Sequence, residues 1–158
     1  MKIILWVLLL SSLIPNFSWS QEQQNHGLKE IRLSEGNGPV SPKYQRKEEY
    51  SLSSKGTYLI RTGGENVAGT GKYIASLPAN DYTGLEQKIY GTDLEKAKDV
   101  KRQKNVVGGG YIVLEVIFEN GKTCRFASTG DSSMSPEAME ILTAVRNIIR
   151  KAQWKRIE

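Results

Sequence analysis

One hairpin constrains the fold of this 158-residue chain more than any other feature. The run Tyr111–Phe118 is rich in β-branched and aromatic residues, and residues 123–127 form a second such run. Between them, Asn120-Gly121 supplies two residues that tolerate the positive φ angles of a type I′ turn. Because the first run is apolar on both faces apart from Glu115, the sequence predicts a central strand followed by its hairpin partner.

Two helices are predicted to accompany this hairpin. Ser135-Pro136-Glu137 combines a capping residue, a proline at the first helical position and an acid in the first turn. An earlier helix is predicted over residues 78–91, with Tyr82, Leu85 and Ile89 on one face. The apolar stripe of the last helix consists of Ala138, Ile141, Leu142, Val145, Ile148, Ile149 and Ala152.

Shorter segments complete the predicted sheet. Alternating apolar and charged residues predict a first strand over residues 28–33, and turn-forming residues at 35–39 end it. The polar segment 44–52 predicts an edge strand. The turn Ser54-Lys55-Gly56 joins it to a clearer strand over residues 57–61.

The remaining segments connect these elements. Four glycines within residues 62–71 predict an exposed loop, and residues 72–76 predict a short strand. Residues 92–104 are strongly charged with a thin apolar stripe, which fits a helix and a loop equally well. The order of elements predicts an α+β fold: an antiparallel sheet with a long C-terminal hairpin, one central helix and one C-terminal helix packed on the sheet.

The N-terminus predicts export. Lys2 precedes an apolar run, and small residues stand at the right spacing for cleavage after Ser20. A membrane anchor is the alternative, but the run is shorter than the roughly 20 residues that span a bilayer. We predict a cleavable signal peptide over residues 1–20, a flexible polar tail over 21–27 and a single domain over 28–158, with no transmembrane segment after cleavage.

Cysteine content and net charge bear on the localisation of the protein and on its class of partner. The lone cysteine, Cys124, is far from the cleavage site, so we predict a periplasmic or secreted protein that is not a lipoprotein. Cys124 is either buried in its strand, which we favour, or available for an intermolecular disulfide. The net charge of +5 is too mild to indicate a nucleic-acid partner.

No residue pattern indicates catalysis, a cofactor or a metal. The single histidine, His26, lies in the predicted tail, where it cannot serve a fixed serine or cysteine nucleophile. One histidine and one distant cysteine cannot make a zinc site. Residues 66–73 miss the phosphate-loop pattern at both ends. Residues 130–133 resemble the start of an esterase motif, but an ordinary turn before the last helix explains them better.

Carboxylate pairs of the kind that hydrolyse glycosides cannot be recognised from sequence spacing. Glu48 and Glu49 are adjacent in a predicted strand and therefore point to opposite faces, so they are not such a pair. A small hydrolase of unrecognised type stays open as an alternative, and several carboxylates converging on one pocket would be its sign.

Two groups of residues are candidates for a contact surface. One is a basic cluster that would suit a structural or adhesive cell-envelope protein, although a solvated face explains it better. The other is a set of tyrosines near the glycine-rich loops, for which core packing is the alternative. The basic cluster is Lys96, Lys98, Lys101, Arg102 and Lys104, and the tyrosines are Tyr44, Tyr50 and Tyr58.

The landmarks of the chain are a first strand followed by Gly36-Asn37-Gly38-Pro39, a hairpin, a helix opening at Leu77-Pro78, a hydrophobic strand pair and a last helix opening at Ser135-Pro136. In this order of elements the chain resembles the emfourin-type proteins, small inhibitors of thermolysin-like metalloproteases. The resemblance implies a protease-binding surface formed by the first loop, at Gly36, Asn37, Gly38 and Pro39. We therefore predict a non-catalytic, exported binding protein whose partner is another protein, with protease inhibition as the specific case.

Overall fold

The computed structural model describes residues 27–101 and 109–158. The predicted signal peptide and tail residues 21–26, with His26, lie outside this part of the chain. Two members of the basic cluster, Arg102 and Lys104, lie outside it as well.

Seven strands form one antiparallel sheet in the order β7-β6-β1-β2-β3-β4-β9, and β5 and β8 form a separate two-stranded sheet. The strands are β1 (Leu28–Gly36), β2 (Arg46–Ser53), β3 (Gly56–Gly63), β4 (Gly71–Ala75), β5 (Asp99–Lys101), β6 (Tyr111–Phe118), β7 (Thr123–Ser128), β8 (Ser132–Met134) and β9 (Lys155–Arg156). The helices are α1 (Ala79–Tyr90) and α2 (Pro136–Lys151). The predicted α+β fold is confirmed.

The register aligns the apolar residues of the strands on one face of the sheet. Leu33 of β1 is opposite Tyr50 of β2 and Leu114 of β6, and Tyr50 is opposite Leu59 of β3. Because side chains alternate along a strand, this alignment gives one apolar face, which the two helices cover. The residues of the seven-stranded sheet in the buried core are Leu28, Ile31, Leu33, Tyr50, Leu52, Leu59, Leu114, Val116, Phe118 and Phe126.

Both helices are where the sequence predicts them. The Ser135 hydroxyl accepts a hydrogen bond from the amide of Ala138 at 3.3 Å and so caps α2. Helix α1 is fixed to the start of β1, since the Tyr82 hydroxyl donates to the Leu28 carbonyl and the Leu28 amide donates to the Tyr90 hydroxyl. The buried helix residues are Tyr82, Leu85 and Ile89 in α1 and Ala138, Ile141, Leu142, Val145 and Ile148 in α2.

The prediction of an edge strand over residues 44–52 is wrong in its position. The strand exists as β2, but it lies inside the sheet, between β1 and β3. Its polar residues suit that position because the neighbouring strands complement them. The Ser51 hydroxyl donates to Glu30 of β1 at 2.6 Å, and Arg61 of β3 donates to Glu48 at 2.5 Å.

The segment after α1 is neither a helix nor a plain loop over the residues that the structure describes. A turn at residues 93–97 buries Leu94 and Ala97, and β5 then pairs with β8. Residues 130 and 131 form the predicted turn, closed by the Thr129 amide donating to the Ser132 carbonyl at 3.0 Å, but Ser132 already begins β8. Three-residue strands give too weak an alternating pattern to be recognised from sequence.

The main sheet ends in β7 on one side and in the two-residue strand β9 on the other. The β7 amide of Ala127 donates a hydrogen bond to the Asp99 carboxylate at 2.8 Å, and β9 pairs with β4. A very short edge strand such as β9 limits the ladder that is exposed to another chain. Cys124 in β7 is half-buried against the core, and burial raises the pKa of its thiol.

Candidate functional site

The predicted site loop lies at one end of the sheet. Residues 37–45 connect β1 to β2, and residues 64–70 connect β3 to β4. Because these strands alternate in direction, both connections meet at the same end, beside the start of β6 at Tyr111. The antiparallel topology thus brings together two connections that are separated in sequence by strands β2 and β3.

The two connections are joined into a single surface, which we call the loop platform (residues 37–45 and 64–67). The Gly64 amide donates to the Gln45 carbonyl at 2.9 Å, and the Asn66 amide donates to the Lys43 carbonyl at 3.0 Å. A 3-10 turn, Pro42–Tyr44, shapes the first loop. These bonds satisfy the backbone groups of both loops against each other and fix their relative position.

Asn37 closes the base of the first loop. Its side-chain amide donates to the Tyr44 carbonyl at 2.7 Å, and its side-chain oxygen accepts from the Arg46 amide at 2.7 Å. Its own amide donates to the Arg46 carbonyl at 3.2 Å. One side chain therefore replaces the ladder bonds that end with β1 and holds the loop in a defined shape.

Close approach explains the glycines at two positions. A Cβ atom at Gly64 would overlap the Pro42 carbonyl oxygen and lie 2.6 Å from Lys43 Cα. A Cβ atom at Gly36 would lie 2.7 Å from Cζ of Tyr111, whose ring covers that backbone. Real side chains do not make contacts this short. At Gly64 the close atoms are backbone, so that site excludes larger residues, whereas at Gly36 a larger residue would require the Tyr111 ring to move.

The structure brings the four predicted site residues together at the platform but gives them different positions. Gly36 is the half-buried last residue of β1, Asn37 is the tether, Gly38 is half-buried, and Pro39 is exposed at the tip. What the placement adds is a set of exposed apolar neighbours.

Exposed apolar side chains flank the predicted loop residues. Val40 is 39% exposed and Tyr44 is 51% exposed. Of the three candidate tyrosines, Tyr44 and Tyr58 are exposed, whereas Tyr50 is buried in the core. The glycines of the sequence predicted the position of the loop but not the exposure of Val40, which depends on the conformation of the folded loop.

Two cavities border the platform, one on each side of the sheet end. The inner cavity, about 500 Å³, lies on the helix-covered side, and the outer cavity, about 590 Å³, lies on the open side beside Lys47 and Thr62. Asn37, Arg46 and Tyr111 line both. These volumes lie within the usual range of small-molecule sites.

An ionic network lines the inner cavity. Arg146 of α2 donates from Nε and Nη2 to Oε1 of Glu35 at 2.9 and 2.7 Å. Glu48 accepts from Nη2 of Arg46 at 2.7 Å and Nε of Arg61 at 2.5 Å. These ion pairs fix helix α2 and strands β1 to β3 around the cavity.

Glu48 is nearly buried, and its carboxylate accepts a third hydrogen bond, from the Tyr50 hydroxyl at 3.0 Å. Burial alone pushes the pKa of Glu48 upward, but the hydrogen bonds from Arg46, Arg61 and Tyr50 together outweigh it, so the pKa is lowered. Glu48 is therefore ionised at neutral pH. Burial, together with the charge of Glu48, strongly raises the pKa of Tyr50.

Glu35 and Glu48 are a pair of carboxylates on one cavity that sequence reasoning missed. They are direct partners in the β1–β2 register and lie on the same face. Glu49 lies on the opposite face and pairs with Lys47 at 2.8 Å, as its alternation with Glu48 predicts. Glu35 and Glu48 are 13 residues apart in sequence, and nothing in that spacing indicates a pair. Only the register of β1 and β2 brings them together.

The described residues hold no evident metal site. Within residues 27–101 and 109–158, no three His, Cys, Asp or Glu side chains are grouped closely enough to hold a metal ion. In the same part of the chain, no helix is long and apolar enough to cross a membrane.

No family model and no curated protein matches this chain.

Proposed function

We propose that this chain is a non-catalytic binding protein that contacts another protein through the loop platform. The observation that supports this most is the tether of Asn37 to Tyr44 and Arg46, which holds exposed Pro39, Val40 and Tyr44 in a fixed arrangement. Loops that are ordered before binding lose less conformational entropy on association. Tyrosine and apolar residues at the centre of a contact contribute most of its binding energy.

Inhibition of an extracellular protease is the specific form of this proposal. The tip of the first loop is extended at Ser41, with φ −52° and ψ 139°, and its two ends are held by the strands and by the second loop. The loop then turns at Pro42–Tyr44, and a loop whose shape is fixed before binding loses little conformational entropy when it enters a cleft. The resemblance to emfourin-type proteins in element order points to a thermolysin-like metalloprotease.

The proposal is tested by capture and by inhibition. The purified protein is immobilised, exposed to an extracellular extract at low and high salt, and the bound proteins are identified. In parallel, thermolysin is assayed on a peptide substrate with increasing amounts of the protein. We expect a salt-resistant protein partner and a dose-dependent fall in peptide hydrolysis.

Two tyrosines provide matched variants for both assays. Tyr44→Ala removes an exposed ring from the platform, and Tyr58→Ala removes a comparably exposed ring from the open sheet face, where Tyr58 is 43% exposed. We expect Tyr44→Ala to weaken partner binding about tenfold or more and Tyr58→Ala to leave it unchanged. Equal effects of the two variants would contradict a platform interface.

A small hydrolase is the second candidate because Glu35 and Glu48 line one cavity. A glycosidase needs one carboxyl group with a raised pKa to act as general acid. Here the pKa of Glu48 is lowered, and Glu35 receives two bonds from Arg146. Both carboxylates are thus paired with guanidinium groups, which favour the ionised form over the protonated form of a general acid. We therefore rank the hydrolase below the binding protein. Hydrolysis of a polysaccharide that Glu35→Gln abolishes would reverse the order.

A structural envelope protein that uses the basic cluster is the third candidate. Lys96 of that cluster is exposed and pairs with Asp93 at 3.0 Å, so part of its charge is already neutralised. This candidate requires salt-sensitive binding to acidic polymers. Loss of all captured partners at high salt would favour it over the platform.

A further inference from the structure

We infer that Arg46 is the centre of a carboxylate-binding site at the junction of the two cavities, one that takes the carboxylate of a small organic acid or of an acidic protein side chain. The site is separate from the exposed platform tip. Its existence does not depend on whether the platform binds a protein.

Arg46 is the replaceable partner in the ionic network. Its guanidinium donates through Nη2 to Glu48, and no other described residue receives a hydrogen bond from it. Glu48 also accepts bonds from Arg61 and Tyr50, so it stays neutralised and hydrogen-bonded when Arg46 turns to another anion. Glu48 therefore has two guanidinium partners, Arg46 and Arg61, where one would balance its charge.

The position of Arg46 makes that cation accessible. Its side chain is 51% exposed and lines both the inner and the outer cavity. Its backbone is bonded to Asn37 through both the amide and the carbonyl, so the start of the side chain is fixed at the cavity wall. A guanidinium held in this way offers two parallel donors to a planar carboxylate.

The charges around the cavity favour a monoanion over a dianion. Glu35 and Glu48 both line the inner cavity. Arg146 lines it too, but its charge is balanced by its ion pair with Glu35. A single carboxylate balances the surplus of Arg46. A phosphate dianion would add a second negative charge beside two carboxylates and be repelled.

The inference is tested by NMR titration of the purified protein with sodium acetate at constant ionic strength. Acetamide serves as the neutral molecule of the same shape, and phosphate at pH 7.5 serves as the dianion. We expect a saturable acetate shift of the Arg46 Nε–Hε resonance, no response to acetamide and weaker binding of phosphate. Acetate concentrations up to the millimolar range are needed because one charge-assisted contact gives modest affinity.

Arg32 provides the matched control. It is 56% exposed on β1 and pairs with Glu30 at 2.8 Å, two residues away, as Arg46 does with Glu48. Arg32 lies on the open face and lines neither cavity. We expect Arg46→Gln to weaken acetate binding about tenfold or more, Arg46→Lys to retain part of it, and Arg32→Gln to leave it unchanged.

Three outcomes overturn the inference. These are an acetate response that Arg46→Gln leaves intact, an equal response of the Arg32 resonance, and an acetamide response of the same size. Urea unfolding of each variant verifies that it is folded, and Arg46→Lys keeps the test valid should Arg46→Gln unfold. Partner capture by Arg46→Gln then separates the two sources, because only a protein-borne carboxylate makes capture depend on Arg46.

Discussion

Glu35 of β1 and Glu48 of β2 are opposite each other in the antiparallel ladder, on the helix-covered side of the sheet. Like charges in direct cross-strand positions repel and destabilise a sheet. Here each carboxylate is compensated from a different element: Glu35 by Arg146 of α2, and Glu48 by Arg46 and Arg61 of its own and the neighbouring strand. The last helix is therefore electrostatically coupled to the end of the sheet that carries the loop platform.

Removing Arg146 should expose this repulsion. We expect Arg146→Met to lower the free energy of unfolding by about 1–2 kcal/mol, between the values for exposed and buried ion pairs, because Glu35 then faces Glu48 without a cation. Arg125→Met is the control, since Arg125 is 58% exposed and 3.6 Å from Glu115. Urea unfolding should show a change below about 0.5 kcal/mol for the control. Equal losses would show that the Arg146–Glu35 ion pair contributes no more to stability than an exposed pair.

Glu48 should make stability depend on pH in the acid range. Its pKa in the folded state is below the ordinary value of 4.5, so its ionised form stabilises the native state above that pH. As the pH falls below about 4.5, towards the lowered folded-state pKa, that contribution is lost. We expect the difference in unfolding free energy between wild type and Glu48→Gln to shrink over this range. Glu49→Gln removes a carboxylate from the open face of the same strand and is the matched control variant. A difference between wild type and Glu48→Gln that stays constant as the pH falls would contradict this prediction.

The tether of Asn37 should control the order of the platform. Asn37→Ala removes both side-chain bonds, to Tyr44 and Arg46, and should cost about 1 kcal/mol of local stability. Hydrogen exchange should detect this as faster exchange of the Arg46 amide. Asn147→Ala, at an exposed position of α2, should leave that amide unchanged. Slow exchange in Asn37→Ala would mean that contacts between the loops suffice to order the platform.

Two glycines with opposite surroundings should respond oppositely to alanine. Gly64→Ala forces the second loop away from Pro42 and should lower the free energy of unfolding by about 1–3 kcal/mol. Gly84→Ala, in α1 with no atom within 4 Å of the new Cβ, should raise it by roughly 0.5–1 kcal/mol. Thermal unfolding of the two variants compares these shifts directly. A neutral Gly64→Ala would show that the loops are not in tight contact.

The sequence predicted the elements whose signals are local. The hairpin, the Ser135-Pro136 helix start and the helical spacing of Tyr82, Leu85 and Ile89 depend on neighbours within a few residues, and the structure confirms each. The predicted type I′ turn is wrong, because the Gly121 amide donates to the Phe118 carbonyl. The central residues of the turn are therefore Glu119 and Asn120, and Gly121 follows them with φ 84°. Short strands such as β5 were missed, because three residues carry too little periodicity and their pairing partner lies far along the chain.

The sequence by itself determined the α+β class, both helices, the hairpin and the glycine-rich loop of Gly36, Asn37, Gly38 and Pro39. Tertiary structure alone decided that β2 is an interior strand, that the two loops join into one platform, and that Glu35 and Glu48 share a cavity. Local signals follow from backbone and side-chain preferences of adjacent residues. Strand order, register and charge pairing are decided by which distant segments bury apolar surface together, and a single sequence does not contain that choice in any one place.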